Sequence, residues 1–223
     1  MDSQLTYVLI PGAASDSWYW HLVVPELRDR GHDVIAVDLP CEDDSAGLAE
    51  YADAVVDAIG DRTRLVVVAH SLGGFTGPLV CERVPVDLLV LVQGMIPAPG
   101  EPPGEWWTNT GYTDGVGAGV SAFDTFFNDV APELAAEAMR REMAQSGTPM
   151  VAPWPLDAWP DVPTRFLLCS EDRFFPAPFM RRVVRERLCV VPDEIATGHL
   201  PMLARPQELA DRLDAYGAAY SGS

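Results

Sequence analysis

Three residues of this sequence together could carry out nucleophilic catalysis: a serine, an aspartate and a histidine. Ser71 follows the apolar run RLVVVAH, Asp172 follows TRFLLCSE, and His199 stands in ATGHLPM. Each comes just after an apolar, strand-like run. A serine becomes a nucleophile when a histidine accepts its proton and a carboxylate orients that histidine. The chain order Ser, Asp, His predicts such a triad.

The residues around Ser71 are typical of a nucleophile elbow, a sharp turn between a strand and a helix. In AHSLGG, Ala69 and the two glycines keep the crowded backbone positions small. The turn would point the N–H of Leu72 toward the space in front of the serine hydroxyl, at a helix N-terminus. The loop IPGAAS after the first apolar run predicts the N–H of Ala13 as a second donor to an oxyanion.

Two neighbouring residues compete with members of this triad. Glu171 precedes Asp172 and is an alternative carboxylate. His70 precedes Ser71, but a residue next to the nucleophile should point away from the base. We therefore expect His70 to be structural and His199 to be the base.

The charge and length of the chain exclude several classes of partner. Its 223 residues fit one domain, and its formal net charge of −18 comes without a basic cluster of the kind that binds nucleic acid or anionic lipid. No apolar run approaches the roughly 18–20 residues of a membrane helix. The start, MDSQLTYVLIPG, lacks the pattern of a signal peptide. We expect a soluble, cytoplasmic protein that acts on a small molecule, and its oligomeric state is not readable from the sequence.

The basic residues and cysteines argue against cofactors and metals. All fifteen basic residues are arginine, so no lysine is present for a Schiff base, a covalent pyridoxal cofactor or a P-loop. The four cysteines are widely separated, and Cys169 and Cys189 stand in apolar runs that suggest core packing. The four histidines show no i,i+4 spacing. We expect neither a cofactor nor a metal site.

Apolar runs alternate with amphipathic segments along most of the chain, which predicts an α/β fold with a mainly parallel sheet. About six strands are predicted, at 6–11, 33–40, 64–70, 87–94, 164–170 and 188–191, with a closing helix over 206–216. Catalytic residues are expected at the carboxyl ends of such strands. The alternation stops over a stretch rich in Pro, Gly and Trp. We predict a core of residues 1–96 and 161–223 and an inserted, mostly helical cap at 97–160.

Large aromatic residues are the candidates for the substrate pocket, because pocket walls are mainly apolar and aromatic. All of them belong to the predicted cap: Trp106, Trp107, Phe126, Phe127, Trp154 and Trp159.

These motifs together resemble the α/β-hydrolase fold, and within it the small cap-bearing group of plant methyl esterases, salicylate-binding esterase and hydroxynitrile lyases. The matching segments are VLIPGAASDSWYW, VVVAHSLGGF, FLLCSEDRFFP and GHLPMLARPQEL. The resemblance implies Ser71, Asp172 and His199 as the triad, with Asp172 favoured over Glu171. This chain has Pro11 where the group usually has histidine.

The main hypothesis is a serine hydrolase that cleaves a small, mostly apolar carboxylic ester through an acyl-enzyme. The same triad could instead serve acyl transfer, lactone or C–C bond chemistry. A hydroxynitrile lyase is disfavoured, because those enzymes carry a lysine directly after the catalytic histidine and this chain has Leu200. A ligand-binding protein without activity is the remaining alternative.

Overall fold

Six parallel strands form a single sheet in a computed structural model that describes residues 4–112 and 121–220. Their order across the sheet is β2-β1-β3-β4-β5-β6. The strands are β1 (Thr6–Ile10), β2 (Asp33–Ala36), β3 (Leu65–His70), β4 (Val86–Val92), β5 (Thr164–Cys169) and β6 (Asp193–Ile195). The predicted fold class and number of strands are confirmed.

Helices cover both faces of the sheet, which is why the central strands are apolar throughout. Along β3, Val66 and Val68 belong to a buried cluster that includes residues of α1 and α10, and Val67 and Ala69 belong to a second cluster that includes residues of α2, α3 and α8. Among the helices of the described chain, none combines the length and apolarity needed to cross a bilayer. The helices are α1 (Val23–Asp29), α2 (Leu48–Ile59), α3 (Gly73–Cys81), α4 (Trp106–Asn109), α5 (Ala122–Phe126), α6 (Pro132–Arg140), α7 (Thr148–Val151), α8 (Ala177–Leu188), α9 (Pro201–Ala204) and α10 (Pro206–Tyr220).

The last strand lies later in the chain than the sequence indicated. Residues 188–191 were the predicted strand, but Leu188 ends α8 and Cys189 has a left-handed backbone (φ +57°) that closes this helix. Cys189 is exposed, and so is Val191, at 92%. The prediction of a buried strand here is wrong, because an edge strand of only three residues, DEI, carries almost no apolar signal.

The segment between β4 and β5 contains α4 to α7, and hydrogen bonds join its two ends. The N–H of Gly100 donates to the carbonyl of Trp154 (3.1 Å), and the N–H of Trp154 donates to the carbonyl of Glu101 (3.1 Å). The buried carboxylate of Glu101 also pairs with Arg187 of α8, which donates to the carbonyl of Ile96. The two ends of the segment are thus bound to each other and to the core.

Candidate active site

Ser71 lies on a strained turn between β3 and α3. Its φ of +50° is in the left-handed region, which costs a residue with a side chain about 1–3 kcal/mol. Its carbonyl accepts hydrogen bonds from the N–H of Gly74 (3.0 Å) and of Met95 (2.8 Å). These bonds hold the turn in a conformation that the chain alone would avoid.

The two glycines after Ser71 are required by close backbone approach. A Cβ at Gly74 would lie 1.9 Å from the carbonyl oxygen of Met95. A Cβ at Gly73 would lie 2.7 Å from the carbonyl oxygen of Pro11. No real Cβ makes such contacts, so the start of α3 can pack against β1 and the end of β4 only with glycine at both positions.

The structure brings the three predicted triad residues together. The Nε2 of His199 lies 3.2 Å from the hydroxyl of Ser71, and its Nδ1 lies 2.8 Å from Oδ2 of Asp172. All three side chains are buried, whereas the competing carboxylate of Glu171 is exposed. The chain folds so that Ser71, Asp172 and His199 follow the carboxyl ends of β3, β5 and β6 respectively.

Asp172 is held by a residue that sequence reasoning missed. Gln93, directly after β4, donates from Nε2 to Oδ2 of Asp172 (2.7 Å), the oxygen that also faces His199. The N–H of Phe174 donates to the other oxygen, Oδ1 (2.7 Å). The carboxylate is therefore fixed through both oxygens. The signal in the sequence that could have indicated this role is the single amide side chain of Gln93, directly after the apolar run LLVLV.

Gln93 is itself fully restrained. Its side chain has no exposed surface, and its φ is +46°. Its Oε1 accepts from the N–H of Cys169 (2.9 Å), and its Nε2 also donates to the carbonyl of Phe175 (3.0 Å). Every polar atom of the amide is thus used to join the end of β4 to the loop that carries Asp172.

His70 forms a hydrogen bond with the backbone of His199 and not with the ring nitrogens of that residue. Its Nε2 lies 2.9 Å from the carbonyl of His199, and because a carbonyl only accepts, this nitrogen carries the hydrogen. Burial, and then the neighbouring His199, lower the pKa of His70 to about 3, despite that hydrogen bond. His70 is therefore neutral at ordinary pH, which fits a structural role, and that role stays a prediction. Its ring does not point away, however, but lies 4.9 Å from that of His199.

The two predicted oxyanion donors both line the cavity in front of Ser71. In the described parts of the chain, no group accepts a hydrogen bond from the N–H of Ala13 or of Leu72. Gly12 leaves little room beside them: a Cβ there would lie 3.0 Å from both the His70 ring and the Ser71 Cβ, so one of these neighbours would have to shift by a few tenths of an ångström. The turn that presents Ala13 therefore forms with Pro11 in place of the usual histidine.

A cavity of about 260 Å³ opens onto Ser71 and His199, a size suited to a small molecule. Three of the predicted pocket residues line it: Trp107, Phe126 and Phe127. Sequence reasoning missed other lining residues, among them Tyr19, Met139, Glu142, Met150 and Phe174.

The other three predicted pocket residues do not reach the cavity, so the prediction is wrong for them. The indole of Trp106 donates to the carbonyl of Ile96 (2.9 Å), and the indole of Trp154 donates to the carbonyl of Phe75 (3.1 Å). Trp159 packs against Trp154 and donates to Thr164. These rings anchor the segment to the core, because a buried indole N–H needs an acceptor.

No group of three or more His, Cys, Asp or Glu side chains that could hold a metal ion occurs in residues 4–112 and 121–220. Besides the predicted triad, its supporting amide and the two backbone donors, the cavity is lined by polar side chains, which are those of Ser15, Tyr19, His70 and Glu142.

A family model described as the alpha/beta hydrolase family matches residues 7–212. The chain belongs to the alpha/beta hydrolase family. This alpha/beta hydrolase is 24% identical to methylesterase 7 of Arabidopsis thaliana, over 93% of the chain and 94% of the relative. It is also 24% identical to norfluorocurarine synthase 1 of a Strychnos species, over 92% of each.

Among solved structures, the alpha/beta hydrolase is similar in fold to polyneuridine aldehyde esterase. The TM-score is 0.81 at 21% identity, and the match covers 96% of this chain and 99% of the other. The resemblance to plant methyl esterases is therefore confirmed. Together, the family and these relatives support the predicted carboxylic ester hydrolase.

Proposed function

We propose that this protein is a serine hydrolase that cleaves a small, mostly apolar carboxylic ester through an acyl-enzyme. The observation that carries the proposal is the buried hydrogen-bond chain from Ser71 through His199 to Asp172, which opens into a mainly apolar cavity. A nucleophile, a base and a group that orients the base are the parts that acyl transfer needs.

In the first half of the reaction, the hydroxyl of Ser71 attacks the ester carbonyl while Nε2 of His199 takes its proton. The charged imidazole is stabilised by Asp172, whose orientation Gln93 and the N–H of Phe174 fix. His199 then returns the proton to the leaving alcohol, and the acyl group remains on Ser71. In the second half, water attacks with the same base and releases the acid.

The N–H groups of Ala13 and Leu72 are assigned the role of stabilising the negative charge that develops on the carbonyl oxygen. Both line the cavity beside Ser71 and have no acceptor in the described residues. One such donor stabilises a transition state by about 3–4 kcal/mol. Backbone donors need no particular side chain, which is why Pro11 is compatible with this role.

Residues 97–160 are assigned the role of a cap that shapes the acyl and alcohol sites. The cavity walls from this segment are mainly apolar: Trp107, Ala122, Phe126, Phe127, Met139 and Met150. Beside His199 lies the buried, apolar Leu200, which offers no charge to a leaving cyanide. The site therefore favours an ester over a cyanohydrin. The cytoplasmic location expected from the sequence stays a prediction.

A second candidate function is a biosynthetic step that uses the same triad for transfer, lactone or C–C bond chemistry. The similarity to a relative named as a synthase favours it. Product analysis separates the two: hydrolysis yields the free acid in water, whereas transfer yields a new ester when a second alcohol is supplied.

The decisive experiment is intact-mass measurement after treatment with a fluorophosphonate, a probe that reacts with activated serines. We expect one adduct on the wild type and none on Ser71→Ala, together with loss of 4-nitrophenyl acetate hydrolysis. Ser45→Ala is the matched control, because Ser45 is exposed and lies outside the cavity. Labelling or turnover that survives in Ser71→Ala would disprove the proposal.

A further inference from the structure

The charges around the cavity are of one sign. All fifteen arginines of the chain lie in described residues, the sequence has no lysine, and no arginine lines the cavity. Among the described residues that line it, Glu142 is the one carboxylate. No basic side chain of the protein therefore faces a bound substrate, apart from the histidines of the site.

The charge of Glu142 is available to a ligand. Glu142 follows α6, is exposed, and forms no ion pair with any described residue, so it lies where the cavity meets solvent. The adjacent cation, Arg141, is engaged elsewhere: its Nε donates to Glu137 (2.8 Å), and its guanidinium lies 4.9 Å from the centre of the Trp18 ring. Arg141 therefore does not neutralise Glu142.

Aromatic rings form much of the remaining wall. Five described aromatic residues line the cavity: Tyr19, Trp107, Phe126, Phe127 and Phe174. The rings of Phe126 and Phe174 lie 5.4 and 5.3 Å from that of His199. The negative faces of such rings attract a cation that lies within about 6 Å. A cation bound there would be close enough to Ser71 to belong to the same small ester.

We propose that this cavity selects esters that carry a tertiary or quaternary ammonium group and disfavours esters that carry a carboxylate. The inference rests on the proposed hydrolase function and adds the charge class of its substrate. An alkylated ammonium suits this site because its carbon shell packs against aromatic rings, whereas a primary ammonium would lose strong hydration. The net charge of −18 also attracts cationic esters and repels anionic ones at longer range.

The test compares two esters of the same shape, acetylcholine and 3,3-dimethylbutyl acetate, which differ by a nitrogen cation in place of a carbon. At low salt we expect kcat/KM to be about 5- to 30-fold higher for acetylcholine, the range that cation–π contacts provide. In Glu142→Gln this ratio should fall about 3- to 5-fold, as expected for a charge at an exposed rim. Acetate release is the readout.

Glu133→Gln is the matched control, because it removes the same charge from α6 outside the cavity and should leave the ratio unchanged. An equal fall in both variants, or a wild-type ratio of one or below, overturns the inference. So does hydrolysis of 4-nitrophenyl acetate without hydrolysis of acetylcholine, although the hydrolase function then stands. Failure of that function itself shows differently, as absence of all turnover and of fluorophosphonate labelling.

Discussion

Replacing Gln93 by glutamate changes one atom of the group that holds Asp172. The nitrogen that donates to Oδ2 of Asp172 (2.7 Å) and to the carbonyl of Phe175 (3.0 Å) becomes an oxygen. The other oxygen can still accept from the N–H of Cys169. The shape of the side chain is kept, so Gln93→Glu replaces the two N–H donors of the amide by at most one O–H donor.

The folded protein tolerates the introduced carboxyl group only in its protonated, neutral form. It would be fully buried and beside the charge of Asp172, and both conditions raise the pKa of a carboxyl group. In the unfolded chain a glutamate titrates near pH 4.3, and each unit of difference corresponds to about 1.4 kcal/mol. A group that stays protonated to pH 7 thus costs up to about 4 kcal/mol there. One proton can serve only one of the two acceptors, which adds about 1–3 kcal/mol at every pH.

The sign of the pH dependence follows from the raised folded-state pKa. Stability relative to the wild type is least reduced below about pH 4.3 and declines as the pH rises toward 7. Denaturant unfolding of both proteins at pH 4.5, 5.5 and 7 measures this difference. Gln4→Glu is the control, because Gln4 is exposed and the chemical change is the same. A difference that does not vary with pH would refute the reasoning.

Two further predictions concern the surroundings of Ser71. Because the pKa of His70 is lowered to about 3, the wild type should lose stability as the pH falls below about 6.5, with a slope of up to about 1.4 kcal/mol per pH unit. His70→Gln should lack this part of the slope in denaturant unfolding at pH 7 and 4.5, and parallel slopes would contradict it. Gly74→Ala should lower the unfolding free energy by about 3 kcal/mol or more, because its Cβ would meet the Met95 carbonyl. Gly147→Ala, with open space and no positive φ, should be close to neutral, and equal thermal midpoints for the two variants would refute this explanation.

That Ser71, Asp172 and His199 lie together was predictable because the signals in the sequence are local. Ser71, Asp172 and His199 each follow a strand-like run, and parallel strands bring their carboxyl ends to one edge of the sheet. The elbow glycines carry the same kind of signal, since small residues mark close backbone approach. The fold could be predicted for a related reason: buried parallel strands and amphipathic helices have distinct patterns along the chain.

Other features depend on contacts between distant segments. The role of Gln93 depends on a hydrogen bond across 79 positions of sequence, which no local pattern contains. Trp106 and Trp107 are adjacent and chemically equal, yet one anchors the segment and the other lines the cavity. The direction in which each ring points is set by tertiary packing. Glu142 lies in a polar stretch, and nothing in the sequence distinguishes it from the other exposed carboxylates.

The two ends of the segment between β4 and β5 are joined by hydrogen bonds, and this junction determines which changes in length the segment can tolerate. Gly100, Glu101 and Trp154 join its two ends through paired backbone hydrogen bonds, and Arg187 attaches that junction to α8. Residues added or removed beyond the junction change the length of a loop whose ends are already together, and doubling the length of such a loop costs only about 0.6 kcal/mol. The cavity in front of Ser71 is therefore expected to tolerate enlargement or reduction, in evolution or by design, without disturbance of the strands that position Ser71, Asp172 and His199.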